Sequence, residues 1–183
     1  GLLFRALRAE EVEWPPCGDA RLAGGGLRPK QRGAGMGAAR AVARGSTEHR
    51  SEFVHTTADV TVAAYFATSR QQGGRGSSGL VAVLDRRRLD QAGVVLIDLQ
   101  KTEVRRAQRL AAGSQEDGAA IAAAEVLIDA DDVPDAMLVG RLLDLRSPCD
   151  LRDGLRPTHM TKMLDVLTVE EQRWLALRLY EYH

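Results

Sequence analysis

Three short apolar segments, far apart in the chain, carry polar side chains that could do chemistry. They are residues 3–6, around Arg5, residues 53–57, which end in His-Thr-Thr, and residues 123–128, around Glu125. Arginine is a forked cation that matches phosphate geometry, and a fixed carboxylate stabilises positive charge that grows on a sugar. These residue types suit the cleavage of a glycosidic bond in a substrate that also carries phosphates.

NAD+ is a substrate of this kind. Cleavage of its nicotinamide–ribose bond passes through an oxocarbenium-like state, which Glu125 would stabilise while orienting the incoming nucleophile. Arg5 would bind the diphosphate, and the hydroxyl groups of Thr56 and Thr57 would hold the ribose and fix the carboxylate.

Each of these residues also has a purely structural alternative. Arg5 could be an edge-strand residue paired with a surface carboxylate, and residues 55–57 could be a strand end that caps the next helix. Glu125 could occupy a solvent-facing strand position. The order and spacing of the three segments, rather than any one residue, favour the site.

The hydrophobic pattern predicts the elements that must position these residues. Apolar runs predict strands over residues 2–7, 51–57, 79–84, 94–99, 124–128 and 136–145. Helical periodicity, with an Asp59 cap before the second helix, predicts helices over residues 36–44, 60–69 and 102–112. Glycine and proline clusters predict loops without regular structure over residues 14–37, 71–78 and 113–118. The polar candidates therefore lie on strands.

The sequence around the three segments resembles the ADP-ribosyltransferase superfamily, in particular its bacterial toxin-like branch. That branch has an arginine, a strand of the Ser-Thr-Thr type and a catalytic glutamate. Residues 3–5 resemble the first-strand arginine segment, and residues 51–59 resemble the second motif. Residues 62–67 resemble the helix that follows. Residues 125–128, with the Val-Pro pair at 133–134, are similar to the glutamate strand and its turn.

The resemblance implies an α+β fold in which a split β-sheet forms an NAD+ cleft. It covers an ADP-ribosyltransferase-like domain over residues 1–145. Residues 146–183 lie outside it, and a capping box at 168–171 with apolar positions behind it predicts a C-terminal helical hairpin. The implied activity is NAD+-dependent ADP-ribosyl transfer to an unknown acceptor.

The resemblance also assigns the site. The implied catalytic residues are Glu125, Arg5 and Thr56. The implied NAD+-binding residues are Arg5, His55, Thr56, Thr57, Tyr65 and Phe66. Of these, Tyr65 or Phe66 would stack on nicotinamide, with core packing of their helix as the alternative.

Two positions depart from the family pattern. His55 stands where the family has a serine, and Ala123 stands two residues before Glu125, where the family has Glu or Gln. Ala123 makes arginine a less expected acceptor and favours plain NAD+ hydrolysis or another acceptor. The alternatives are therefore an NAD+ glycohydrolase and a catalytically silent relative that binds a nucleotide or a protein. A third alternative is an unrelated α+β interaction domain.

Composition limits the partners and cofactors. Lys+Arg and Asp+Glu number 25 each, so zero net charge gives no global case for nucleic acid or an anionic membrane. No metal site is expected from the histidine and cysteine spacing, and free thiols are favoured for Cys17 and Cys149. No apolar run reaches the ~18 residues of a membrane span.

The expected partners are NAD+, an unknown protein or nucleic-acid acceptor and an inhibitor protein, as a toxin-like domain would have. The chain begins directly with the first predicted strand, without a signal peptide, as expected of a domain cut from a longer protein. Two locations stay open: the cytoplasm, or delivery as part of a larger secreted toxin.

Overall fold

The computed structural model describes residues 1–33, 35, 37–44, 51–68 and 77–144. The strands are β1 (Leu2–Arg8), β2 (Val12–Glu13), β3 (Arg21–Leu22), β4 (Gly26–Leu27), β5 (Val54–Thr57), β6 (Ser77–Asp85), β7 (Val95–Asp98), β8 (Glu125–Asp129), β9 (Val133–Pro134) and β10 (Leu143–Asp144). The helices are α1 (Ala38–Arg44), α2 (Val60–Thr68), α3 (Arg86–Gln91), α4 (Thr102–Ala107) and α5 (Gln115–Ala122). The prediction of the α+β class is confirmed.

The main sheet consists of two antiparallel halves that meet at a narrow junction. Its six strands are ordered β10-β6-β1-β5-β8-β7. β1 pairs with β6 from Leu2 to Arg8, and every residue of β5 pairs with β8. β1 and β5, which are both fully described, pair with each other only at Phe4 and Thr57. The halves β10-β6-β1 and β5-β8-β7 are therefore joined at one point.

The core fills both faces of this sheet because successive strand side chains alternate between faces. One face carries Leu3, Leu7, Val54, Val126 and Ile128, which belong to one buried cluster. On the other face, α2 packs on β1 and β6, whereas α1 and α5 pack beside Leu127 of β8. Each fully buried aliphatic side chain contributes roughly 1.5–3 kcal/mol to folding.

The predicted loop over residues 14–37 is wrong in two places, because β3 and β4 lie within it. β3 pairs with β2, and β4 pairs with β9. The glycines that predicted a loop allow this pairing. A Cβ on Gly26 would lie 2.6 Å from Asp132 Oδ1 and 2.9 Å from the Val133 carbonyl oxygen, so only glycine permits this approach.

The predicted loop over residues 113–118 is also wrong, because α5 begins at Gln115. Ser114 caps this helix by accepting from the Asp117 N–H. The Asp117 carboxylate accepts hydrogen bonds from Arg105 and Arg106 of α4, and the bonds from Arg106 hold its pKa well below the usual range. A tertiary ion pair therefore stabilises a helix whose glycines predicted a loop.

The predicted strand over residues 136–145 is mostly wrong. A 3₁₀ turn occupies Asp135–Met137, Leu138 forms an isolated bridge to Leu84, and β10 contains only Leu143–Asp144. Gly140 adopts a positive φ of 68°, which breaks the extended conformation between the two pairings.

The remaining predicted elements agree more closely. The predicted helix over residues 60–69 is α2, and the Asp59 carboxylate accepts from the Thr61 N–H as its cap. The strand predicted from residue 51 begins at Val54. Two predicted elements lie wholly or mostly outside the described residues: the C-terminal hairpin over 146–183 and the loop over 71–78. Cys149 also lies outside them, whereas Cys17 is a free, exposed thiol. In the described part of the chain, no helix has the length and apolar character of a membrane span.

Candidate active site

His55 and Glu125 form a hydrogen-bonded pair on one face of the sheet. Thr57 lies opposite Glu125 and His55 lies opposite Leu127, so the His55 and Glu125 side chains share a face and meet diagonally. His55 Nδ1 lies 2.6 Å from Glu125 Oε1. Because a carboxylate only accepts, Nδ1–H is the donor. The two side chains are 9% and 12% exposed, so the pair is shielded from water but not sealed.

Ser51 extends this pair to a chain of three side chains. His55 Nε2 lies 2.8 Å from Ser51 Oγ, and the Phe53 main-chain N–H also donates to that oxygen. Ser51 is not among the candidate residues that the sequence pattern indicates. Its signal is a small polar residue placed ahead of the apolar Phe-Val pair, a pattern too common to be specific.

The two threonines of the second segment lie on opposite faces of β5. Thr57 shares the face of His55 and Glu125, and its hydroxyl donates to the Ala123 carbonyl oxygen at 2.6 Å. Thr56 lies on the other face, where its hydroxyl donates to the Val126 carbonyl oxygen at 2.6 Å. The structure thus brings Thr57 to the pair and uses the Thr56 hydroxyl to join β5 to β8.

The backbone immediately before Glu125 is strained. Ala124 has a φ of 44°, a left-handed conformation that is uncommon for any residue with a Cβ. Main-chain hydrogen bonds hold it on both sides: Ala58 N–H donates to its carbonyl oxygen, and its own N–H donates to the Ile121 carbonyl oxygen. The turn from α5 into β8 therefore fixes where the Glu125 side chain begins.

Arg5 connects the two halves of the sheet at their junction. Its Nη1 donates to the main-chain carbonyl oxygen of His55 at 2.7 Å, and its Nε and Nη2 donate to Glu11 Oε1. β1 lies inside the sheet rather than at an edge, and the Arg5 side chain is only 7% exposed. Arg5 is therefore not the edge-strand residue of the structural alternative.

Glu11 is the buried counter-ion of two arginines. Its carboxylate accepts from the Arg8 main-chain N–H and from Arg8 Nη2, each at 2.9 Å, in addition to the bonds from Arg5. Burial opposes ionisation, but the charge of Arg5 and the hydrogen bonds and charge of Arg8 outweigh it. Together they lower the pKa of Glu11 from 4.5 to about 2. Arg8 also pairs with Glu10, so two carboxylates balance the two arginines beside the junction.

The aromatic residues predicted to stack on nicotinamide belong to α2. This helix packs against β1, β6 and β5, the last of which carries His55. Phe66 is partly buried in this helix. The prediction for Tyr65 concerns a side chain outside the described part of the structure.

The order Ser51–His55–Glu125 is also the order of side chains in a nucleophilic serine triad. In such a triad the serine oxygen must be open to substrate. Ser51 is only 4% exposed, and its oxygen already accepts from the Phe53 N–H. The arrangement is therefore suited to hold the Glu125 carboxylate in place rather than to use Ser51 as a nucleophile.

Over the described ranges, no group of three or more His, Cys, Asp or Glu side chains is placed to hold a metal ion. Comparisons of the chain with family models, with curated proteins and with solved structures found no match.

Proposed function

We propose that this chain cleaves the nicotinamide–ribose bond of NAD+ at Glu125 and transfers the ADP-ribosyl group to an acceptor. One observation carries the proposal: the Glu125 carboxylate accepts from His55, and Arg5 donates to the carbonyl oxygen of the same His55. Three segments that are far apart in the sequence thus converge on one residue. The family resemblance predicts that convergence.

The sheet architecture supports an ADP-ribosyltransferase-like fold, which is part of this proposal. An ADP-ribosyltransferase-like fold requires a split sheet with a cleft, and the two halves of this sheet pair only at Phe4 and Thr57. Arg5, rather than a second backbone pair, spans the junction. The proposal includes a domain over residues 1–145 and a helical C-terminal segment over 146–183.

In the proposed site, Glu125 stabilises the positive charge that develops on the ribose as nicotinamide leaves. His55 keeps the carboxylate in position through Nδ1–H. Arg5 is buried and, by strand alternation, its side chain leaves β1 on the face opposite Glu125, so its part in this site is to hold the His55 main chain through the carbonyl oxygen.

In this proposal the two threonines hold the strands that carry Glu125, and the aromatic residues of α2 cover the substrate. Thr56 keeps β5 and β8 in register beneath the carboxylate, and Thr57 anchors the backbone just before it. Phe66 or Tyr65 would cover the nicotinamide from α2.

The acceptor is the open part of the proposal. Ala123 has no polar side chain to orient an acceptor group, and its carbonyl oxygen already accepts from Thr57. This observation favours water as a second candidate acceptor, which would make the chain an NAD+ glycohydrolase.

Incubation of the full chain with NAD+ tests the proposal. Release of free nicotinamide is the expected result, with and without added proteins or nucleic acids. Covalent ADP-ribose on an added macromolecule, detected by mass spectrometry, would identify a transferase, whereas free ADP-ribose alone would identify a glycohydrolase. If NAD+ binds but no nicotinamide is released under any acceptor condition, the chain is a silent relative and the proposal is wrong.

A further inference from the structure

We infer that Ser51 is a positioning residue for the proposed reaction: it fixes the imidazole of His55 in the tautomer that donates to Glu125. This inference rests on the proposed function for its catalytic meaning. The geometry on which it depends is independent of any substrate, because it concerns only the hydrogen bonds among three described side chains.

The hydrogen-bond donors assign the tautomer. A neutral imidazole has one N–H donor and one acceptor nitrogen. Glu125 Oε1, at 2.6 Å from Nδ1, accepts as a carboxylate, so in the neutral ring Nδ1 carries the proton and Nε2 accepts. Ser51 Oγ, at 2.8 Å from Nε2, supplies the matching O–H donor.

A main-chain contact sets the direction of the Ser51 hydroxyl. The Phe53 N–H donates to Ser51 Oγ at 3.2 Å, so the lone pairs of this oxygen are partly used. The hydroxyl proton is then best directed at Nε2. Because Ser51 is buried, water does not readily replace it as the donor.

The consequence concerns how a histidine works at a position where a serine was expected. A serine reaches a neighbouring carboxylate with a single rotatable O–H. An imidazole can present the wrong nitrogen or a rotated ring, so it needs a second contact that holds it. Ser51 provides that contact, at the opposite end of the ring from Glu125.

Nitrogen-15 NMR of the His55 ring in the wild-type chain is the first test. The inference predicts the Nδ1–H tautomer at neutral pH. Observation of the Nε2–H tautomer in the wild type would overturn it, and so would labelling of Ser51 by a fluorophosphonate probe, which would make Ser51 a nucleophile. Neither measurement requires NAD+ turnover.

Substitution of Ser51 is the second test. Ser51→Ala is expected to mix the two His55 tautomers and to lower kcat for nicotinamide release by roughly 10- to 100-fold, with KM for NAD+ nearly unchanged. Ser51→Thr keeps the hydroxyl and should restore both the tautomer and most of kcat. Ser78→Ala removes a hydroxyl that donates to the Leu7 carbonyl oxygen, away from His55, and should change neither.

The outcomes separate the two proposals. A single Nδ1–H tautomer in Ser51→Ala, with wild-type kcat, would overturn the role of Ser51 while leaving NAD+ cleavage intact. A wild-type chain that releases no nicotinamide but loses its tautomer preference in Ser51→Ala would overturn the proposed function alone.

Discussion

Under the proposed family assignment, His55 stands where the pattern has a serine, and the structure gives this residue two partners. Its Nδ1 reaches Glu125, and its Nε2 reaches Ser51. Both ring nitrogens are therefore hydrogen-bonded, as expected for a buried polar side chain. At this scale, the proposed activity depends on the orientation of one carboxylate.

The His55 contact makes a direct prediction. His55→Ala should lower the rate of nicotinamide release by roughly 100-fold, because Glu125 loses the donor that holds it and a misplaced carboxylate stabilises the ribose charge poorly. His55→Asn, which keeps an N–H donor, should retain more activity than His55→Ala. Equal rates for His55→Ala and the wild type would show that the contact has no catalytic role.

Glu11 predicts how stability depends on pH. Its folded-state pKa of about 2 lies below the value of 4.5 for the free side chain, so the ionised form favours the folded state. The shift corresponds to about 3 kcal/mol of stability, fully present above pH ~4.5 and lost as the pH falls towards ~2. Urea unfolding between pH 7 and pH 2 measures this loss.

Glu11→Gln is expected to remove much of this pH dependence and to be less stable than the wild type at pH 7, since Arg5 and Arg8 lose their counter-ion. Glu13→Gln is the matched control. Glu13 pairs with Arg21 on the surface, where an ion pair contributes little. An unchanged pH dependence in Glu11→Gln would contradict the account of this cluster.

The turn from α5 into β8 sets the position from which the Glu125 side chain extends. Ala124 adopts a left-handed backbone conformation in this turn. Substitution at this position tests whether that conformation lowers the stability of the fold. Ala124→Val should lower the free energy of unfolding by roughly 1–3 kcal/mol, because a β-branched side chain tolerates positive φ poorly. Ala124→Gly should be tolerated, with a change within about 1 kcal/mol.

Ala123→Val is the control for that pair of variants. Ala123 has a φ of −80° and a ψ of −2°, which a β-branched residue adopts at a small cost. Thermal unfolding of the three variants measures the difference. Similar losses for Ala123→Val and Ala124→Val would contradict the claim that the left-handed backbone is the cause.

The close approach of β4 to β9 gives a second prediction for an element. Gly26→Ala should destabilise the chain by roughly 1–3 kcal/mol, because its Cβ would meet the Asp132 side chain and the Val133 carbonyl oxygen. Gly37→Ala is the matched control, since nothing lies within 4 Å of a Cβ built there. Guanidinium unfolding compares the two, and equal stability of both variants would show that β4 can move away from β9.

How far the sequence predicts these elements depends on whether their cause is local. β1, β5, β8 and α2 follow from apolar runs and from the Asp59 cap, all of which are local signals. α5 was not predicted, because Asp117 and Arg105 stabilise it across a tertiary contact. β4 was not predicted, because its partner β9 lies about a hundred residues away in the chain.

The same distinction applies to the site. The identities of Arg5, His55 and Glu125 are visible in the sequence, but their hydrogen bonds depend on strand register. Which threonine faces Glu125 also follows from the pairing of β5 with β8, which no local pattern specifies. The contact with Ser51 requires the conformation of the residues just before β5.

For the whole molecule, function is proposed at the junction of two half-sheets. The chain has a formal net charge of zero, so it offers no long-range field to attract an anionic substrate. Binding of a dinucleotide would depend on local cations, and the arginines beside the junction, Arg5 and Arg8, are already paired with Glu11 and Glu10. In the described strands, the two halves pair there through one residue pair, Phe4 with Thr57.

The most direct measurement is the rate of nicotinamide release from NAD+ by the wild type and by Glu125→Gln. This substitution keeps the size of the side chain and an acceptor for His55 but removes the negative charge. We expect a fall of about 100-fold or more in Glu125→Gln. Glu103→Gln, which changes an exposed carboxylate of α4, should be as active as the wild type. Release by Glu125→Gln at the wild-type rate would show that Glu125 is not the catalytic carboxylate.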